Sequence, residues 1–353
     1  PLEPAAHRLA ALFGAVLVAW VTEVLPIAVT ALLVAPLVTV ADVAAPKEVF
    51  RHYADPLLFL FVGGFFIAEA MSLHGLDRRI ARAILTAPGV GRSPGRLRIA
   101  LMSAGALLSM WISNTASTAI LVPILLRLLG PRRDPGAAGA LLAVAYACSI
   151  GGLGTLVGSP PNLITVRLLR DAGTELSFLG WMAFGVPTAF FVGLLVHGVT
   201  RLLFPRGAGI AETADDGAAA DAPAFGDVPT RWSRGERVTA LAFGLAVVGW
   251  IVPGAATALG VPGAPGLKAA LHPGVVALLA ASILFVVPDG HGVRVLPWRR
   301  AIGIDWGIIL LFGGGIALGT QLVETGLAAA MSRGFVELTG LTSLWALTAM
   351  TCL

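Results

Sequence analysis

"WISNTASTAILVPI", residues 111–124, sets Ser113, Asn114, Thr115, Ser117 and Thr118 in the middle of a segment whose flanks are apolar. Inside a bilayer every backbone polar group needs a partner, and irregular backbone is tolerated only where protein or a water-filled cavity surrounds it. The apolar run around this stretch, 99–129, is 31 residues long. A helix needs about 20 residues to cross a membrane, so the run is too long for one comfortable span and too short for two. Arg92, Arg96 and Arg98 precede it, and Arg132 and Arg133 follow it. Positive charge favours the cytoplasmic side, so both ends belong on one face. The pattern predicts a re-entrant helical hairpin that opens from the cytoplasm and turns at Ser113-Asn114-Thr115.

The rest of the chain is what such a hairpin requires. Apolar residues make up 57% of the 353 positions and charged ones only 12%, and mean hydropathy is +0.86. This is an all-α polytopic membrane protein by composition. A net charge of +4 does not argue for nucleic acid, because the arginines fall in short clusters between apolar segments, where topology explains them. Cys148 and Cys352 offer neither a disulfide framework nor metal-ligand spacing. The chain opens on Pro without a signal-peptide pattern, which reads as a trimmed start.

Spans are predicted at 9–25, 26–41, 56–73, 139–165, 178–204, 237–253, 273–288 and 306–323. With 99–129 counted as a hairpin, 17 of the 24 Lys and Arg fall on one face and 7 on the other. Counting it as a crossing weakens that asymmetry. The stretch 205–236, rich in Ala, Gly, Asp and Pro, is predicted to be a mobile cytoplasmic linker.

"DPLLFLFVGG" at 55–64 returns as "DWGIILLFGG" at 305–314, and each copy is followed by a Gly-Leu, at 75–76 and at 326–327. Two spans precede each copy. The first copy holds an odd number of crossings, so the second must run upside down. Inverted repeats are a mark of secondary transporters, whose sites lie near the midplane where broken helices meet. The offset of 250 carries the Ser-Asn-Thr tip past Leu353, so the second hairpin is expected to be cut short.

A hairpin tip leaves carbonyls free at the end of the incoming helix and amides free at the start of the outgoing one. With Ser109 one turn earlier, the carbonyl end suits a cation such as Na⁺, and the amide end with Asn114 and Thr115 suits an anion. "GGLGTLVGSPPNLI", 151–164, is a second break, expected to unwind around Gly158, Ser159, Pro160 and Pro161. Carbonyls near Gly158 can complete the cation shell, and the Ser159 hydroxyl with the Asn162 amide can meet an anionic substrate. Helix packing is the bland reading of a Ser/Thr cluster, and a kink that of a Gly-Pro break; their joint occurrence favours a site. Glu69, inside a span, is a candidate proton relay. The repeat sets Gly319 opposite it, which favours a structural role. His197 and His291 stand singly, and neither a nucleophile with its base nor a metal set points to an enzyme.

"WVTEVLPIAVTALL" (20–33), "LFLFVGGFFIAEAM" (58–71), "LSMWISNTAS" (108–117) and "GGLGTLVGSPPN" (151–162) resemble the divalent anion:sodium symporter family, over nearly the whole chain. The resemblance implies a multi-pass protein of the bacterial inner (plasma) membrane, a homodimer through its scaffold, with a transport domain that moves as an elevator. It implies scaffold spans and an interfacial helix over 1–86, half of the transport domain over 87–204, the linker over 205–236, second-repeat scaffold with its interfacial helix over 237–337, and the start of a second hairpin over 338–353. By the same resemblance Ser109, Ser113, Asn114 and Gly158 hold Na⁺, and Asn114, Thr115, Ser159 and Pro160 contact the substrate. The interfacial helices fall at 76–86 and 327–337. The family also has a further helix ahead of 9–25 and, beyond the second hairpin, two more spans, so this stretch alone is expected to hold half a site and not to transport. The function expected of the whole is Na⁺-coupled symport of a small dianion, a C4-dicarboxylate such as succinate. The alternatives are an Na⁺-independent dicarboxylate exchanger, a proton-coupled anion transporter and a non-transporting receptor.

Overall fold

A computed structural model describes residues 3–90, 93–129, 135–204 and 231–340, with Ser343, Ala346 and Thr348 beyond them. The helices are α1 (Pro4–Thr22), α2 (Ile27–Val40), α3 (Pro46–Phe50), α4 (Pro56–His74), α5 (Leu76–Leu85), α6 (Pro94–Ser109), α7 (Asn114–Leu129), α8 (Pro135–Gly151) and α9 (Pro160–Asp171). They continue with α10 (Phe178–Leu203), α11 (Arg234–Ala258), α12 (Ala264–Ala270), α13 (Pro273–Val286), α14 (Trp298–Ala301), α15 (Trp306–Glu324) and α16 (Leu327–Thr339). Among the described residues, six helical stretches are long and apolar enough to cross a membrane, or seven if α12 and α13, bent by 55° at their junction, form one span. The predicted span 26–41 is the short helix α2, and 56–73 is the end of a longer stretch that starts at Pro46.

The sequence sets several boundaries by local chemistry. Gly75 and Gly326, the residues before α5 and α16, both adopt left-handed backbone (φ 74° and 72°), which a side chain disfavours. The two repeat copies therefore turn the same way at the same place. Helix α11 begins sooner than the expected linker allows. Ser233 and Glu236 form a capping box, each accepting from the other's backbone amide. Glu236 also takes a two-pronged bond from Arg79 of α5 (2.8 and 3.1 Å), whose guanidinium lies 5.0 Å from the Trp232 ring centroid. Residues 205–230 lie outside the described residues.

The described chain forms two compact units, Pro1–Leu58 with Asp305–Leu353, and Phe59–Ile304. In the first, Leu9, Val16, Val34, Ala35, Val38, Ala317 and Leu318 make the core. Gly314 of α15 lies directly on the backbone of Ala31 in α2, whose carbonyl accepts the Tyr53 hydroxyl at 2.5 Å. In the second, Gly63 of α4 lies on Ala277 of α13, where an added Cβ would come within 2.5 Å of backbone. One glycine of each copy's pair thus seats on the second span of the other copy, Gly63 on α13 and Gly314 on α2. Small residues at these points are what let helix backbones approach this closely.

Candidate site at the hairpin tip and the broken helix

Helix α6 does not run on into α7. A Cβ at Gly105 would sit 3.1 Å from Leu121 and 2.8 Å from the sulfur of Cys148. In an unbroken rod Gly105 and Leu121 would lie about 24 Å apart, at 1.5 Å per residue. The two helices therefore fold back as a hairpin, turning through Met110–Ser113. Helix α8 runs beside α6 in the same direction, since Arg98 donates to the Gly139 carbonyl and Gly151 lies on the backbone of Ala106. It ends level with the tip, and there its own break begins.

That break starts earlier than the prolines suggest. Helix α8 stops at Gly151, a 3₁₀ turn covers Gly152–Gly154, and α9 restarts at Pro160. Pro160 and Pro161 occupy the first turn of α9, where a missing N–H costs nothing; it is the glycines that unwind the chain. Asn162 holds the unwound stretch, donating to the carbonyls of Gly152 (2.8 Å) and Thr155 (2.7 Å). It is buried and both its donors are spent on the loop. The expectation that Asn162 meets the substrate is therefore corrected.

Tip and break meet. Ser109, fully buried, donates its hydroxyl to Asn114 Oδ1 at 2.5 Å. A Cβ at Gly152 would lie 2.6 Å from Asn114 Oδ1 and 3.1 Å from the Gly158 carbonyl oxygen. One at Gly158 would lie 2.7 Å from the Gly152 carbonyl oxygen and 2.9 Å from that of Ser109. Only glycines admit this crowding, and what they crowd together is neutral oxygen from Ser109, Asn114, Gly152 and Gly158. Such a donor set fits a hard cation. Thr155 bolts the two parts together. Its hydroxyl donates to the Met110 carbonyl and accepts from the Gly158 amide at 3.1 Å, and it is fully buried.

Of the residues expected at the cation, Ser109, Asn114 and Gly158 come together. Ser113 is exposed and caps α7, its hydroxyl accepting from Ala116 N (3.2 Å) and its carbonyl from Ser117 N (3.0 Å). Of the substrate set, Asn114 and the exposed Thr115 open α7, while Ser159 caps α9 from a half-buried position without a side-chain cap bond. Pro160 follows it. The first turn of α7 leaves amides without intrahelical partners, whereas the two prolines remove them from α9. Gly152 and Thr155 are additions that the sequence reading did not assign. A threonine between glycines in "GGLGTLVG" was the available signal, since a buried polar side chain needs a bonded task.

Fold and site define a polytopic membrane protein of transporter type, built around a folded-back hairpin and a broken helix that share a cluster of oxygens. The model of a family described as "Citrate transporter" matches residues 17–353, and the chain belongs to that family. A sodium-dependent dicarboxylate transporter of Staphylococcus saprophyticus is 33% identical over 327 residues, 88% of this chain and 61% of its own length. Its counterpart in Staphylococcus aureus is 31% identical over 342 residues, 91% of this chain and 63% of its own. These matches bear out the resemblance to the divalent anion:sodium symporters. Family and relatives are named as transporters rather than enzymes. The chain spans about three fifths of the length of these curated relatives.

Proposed function

We propose that this chain is part of a secondary active transporter of the bacterial plasma membrane that couples Na⁺ to the uptake of a small dianion, a C4-dicarboxylate such as succinate. The observation that carries the reading is the crowding of oxygens at Gly152 and Gly158: Asn114 Oδ1 and the Gly158 carbonyl lie against Gly152, and the Gly152 and Ser109 carbonyls against Gly158. Sodium is held by Ser109, Asn114 and Gly158 with the Gly152 carbonyl, while Ser113 caps α7 beside them. The substrate's carboxylates meet Asn114, Thr115 and Ser159, beside Pro160. Since the tip and the break contain no Arg or Lys, the anion relies on amides, hydroxyls, helix dipoles and the bound cation. Affinity for the dianion therefore rises with sodium. The names of the staphylococcal relatives support both the ion and the solute class.

The remaining parts of the reading rest on the repeat. The seating of one glycine of each pair on the second span of the other copy, Gly63 on Ala277 and Gly314 on Ala31, together with the left-handed Gly75 and Gly326 that follow each copy, supports two related copies. On that basis α1 to α5 with α11 to α16 form a dimeric scaffold, and α6 to α10 half of a domain that carries the site across the membrane as an elevator. The test is succinate uptake by the full-length protein in proteoliposomes, with choline replacing Na⁺. Uptake that persists unchanged in choline refutes sodium coupling. If internal succinate alone then drives it, the protein is an exchanger.

A further inference from the structure

The hairpin tip is held from two sides. On the first, Thr155 grips the Met110 carbonyl and Gly154 lies under the Met110 side chain. On the second stands Trp111. Its ring is nearly parallel to Trp250 of α11 (7°, centroids 6.4 Å apart) and to Phe178 at the start of α10 (18°, 6.4 Å). Phe178 and Trp250 stack on each other at 5.1 Å, and Phe243 meets Trp111 edge-on at 5.1 Å and 84°. Trp250 is fixed in turn by its Nε1, which donates to the Pro273 carbonyl at 3.0 Å. Both Phe178 and Trp250 are buried.

Trp111 sits two residues after Ser109 and three before Asn114, and its amide donates to the Leu108 carbonyl at 3.0 Å. The position of its ring therefore fixes how the chain turns between two oxygens of the candidate cation site. Large rings have few rotamers and stack in preferred orientations, so four of them together give the tip one place to sit. We propose that Trp111 is a positioning residue of the cation site, and that in the conformation seen here α11 sets the affinity of that site for sodium through Trp250, across the stack from it. This rests on the reading of Ser109, Asn114 and Gly158 as a sodium site. Cation–oxygen distances are held to about ±0.2 Å in working sites, so a tip released from its stack loses cation before it loses its fold.

The test uses the full-length protein in proteoliposomes and follows initial succinate uptake against Na⁺ at saturating succinate. Trp250→Leu is expected to raise the half-saturating Na⁺ concentration by about three- to tenfold, the range set by an aromatic pair. The maximal rate at high Na⁺ stays within about twofold, because the oxygens themselves are intact. Trp111→Leu gives a similar shift, Trp111→Phe stays near wild type, and the double Leu variant is no worse than either single one, since both break the same contact. A Trp250→Leu protein with lowered thermal stability and an unchanged Na⁺ curve overturns the proposal, leaving the stack as packing. Should the Leu variants fail to fold, Phe243→Leu takes their place. It removes only the edge-on ring, a shift in the same direction supports the proposal, and an unchanged curve overturns it. Wild-type uptake indifferent to Na⁺ refutes the sodium reading itself, and the two failures are separated because wild type is measured in the same series.

Discussion

Replacing Gly158 by alanine tests the site at its tightest point. The new Cβ would stand 2.7 Å from the Gly152 carbonyl oxygen and 2.9 Å from that of Ser109. Ordinary carbon–oxygen contacts lie at about 3.3 Å or beyond, so these oxygens must withdraw by about 0.6 and 0.4 Å relative to their present places, taking that contact distance. Neither belongs to a side chain that can swing away. Withdrawals of this size are two to three times the tolerance of about 0.2 Å in a working cation shell. Overpacking of this kind costs about 1–3 kcal/mol. If the cation-binding conformation bears it, the half-saturating Na⁺ concentration for uptake by the full-length protein rises by about five- to hundredfold, at 1.4 kcal/mol per decade. Gly64→Ala is the control. Its Cβ would meet Val157 at an ordinary 3.6 Å, and alanine inside a helix gains about 0.5–1 kcal/mol over glycine. Gly64→Ala should keep the wild-type Na⁺ curve. A Gly158→Ala protein with that same curve and a normal maximal rate would refute the assignment of the carbonyl cluster to sodium.

Other outcomes follow from the same structure. Asn162→Ala leaves the carbonyls of Gly152 and Thr155 without their amide partner; at about 1–3 kcal/mol for stranded buried groups, the thermal unfolding midpoint in detergent should drop by several degrees, together with uptake. Arg79→Ala strands Glu236, whose side chain is only 5% exposed, and should cost about 3 kcal/mol in chemical unfolding; an Arg79→Met, Glu236→Leu pair should recover most of it. Burial holds the Asp77 carboxyl above its usual range, against the opposing pull of the Arg78 amide and charge. The folded protein thus binds that proton more tightly than the unfolded chain does, and loses stability as pH rises through the folded-state pKa. Asp77→Asn should therefore raise the unfolding midpoint at neutral pH, with a gain that shrinks toward pH 3.8, the value for an unperturbed aspartate. A gain independent of pH would show that burial of the charge is not its cause.

Much of this architecture is legible in the residues. The length of 99–129 with arginines at both ends gives the hairpin, but the turn falls at 110–113, slightly ahead of the expected place, and Asn114 and Thr115 already open α7. The break in "GGLGTLVGSPPN" is equally visible, but its extent is not. Prolines look like the point of rupture, yet they begin α9, and the unwinding belongs to the glycines before them. Asn162 was misread for a related reason. A polar side chain beside a site attracts a ligand role in the sequence, while only the fold shows which carbonyls lack partners and claim its donors first. Thr155 and Trp111 escaped because their partners lie across the chain, at Met110 and at Trp250, and spacing along a sequence carries no record of those meetings. The start of α11 was placed too late because the span was counted from apolar residues alone, while the Ser233–Glu236 capping box that begins the helix lies just ahead of them.

Each compact unit draws its helices from both sides of residues 205–230. The first joins α1 and α2 to α15 and α16, and Ala31 has no Gly314 to lean on until α15 has been made. Translation order and assembly order therefore part company: α1 and α2 enter the membrane early and wait, their small-residue faces bare, for partners made much later in the chain. A membrane chaperone or insertase has the longest access to this surface, and a chain halted before residue 305 should be the form that quality-control proteases clear.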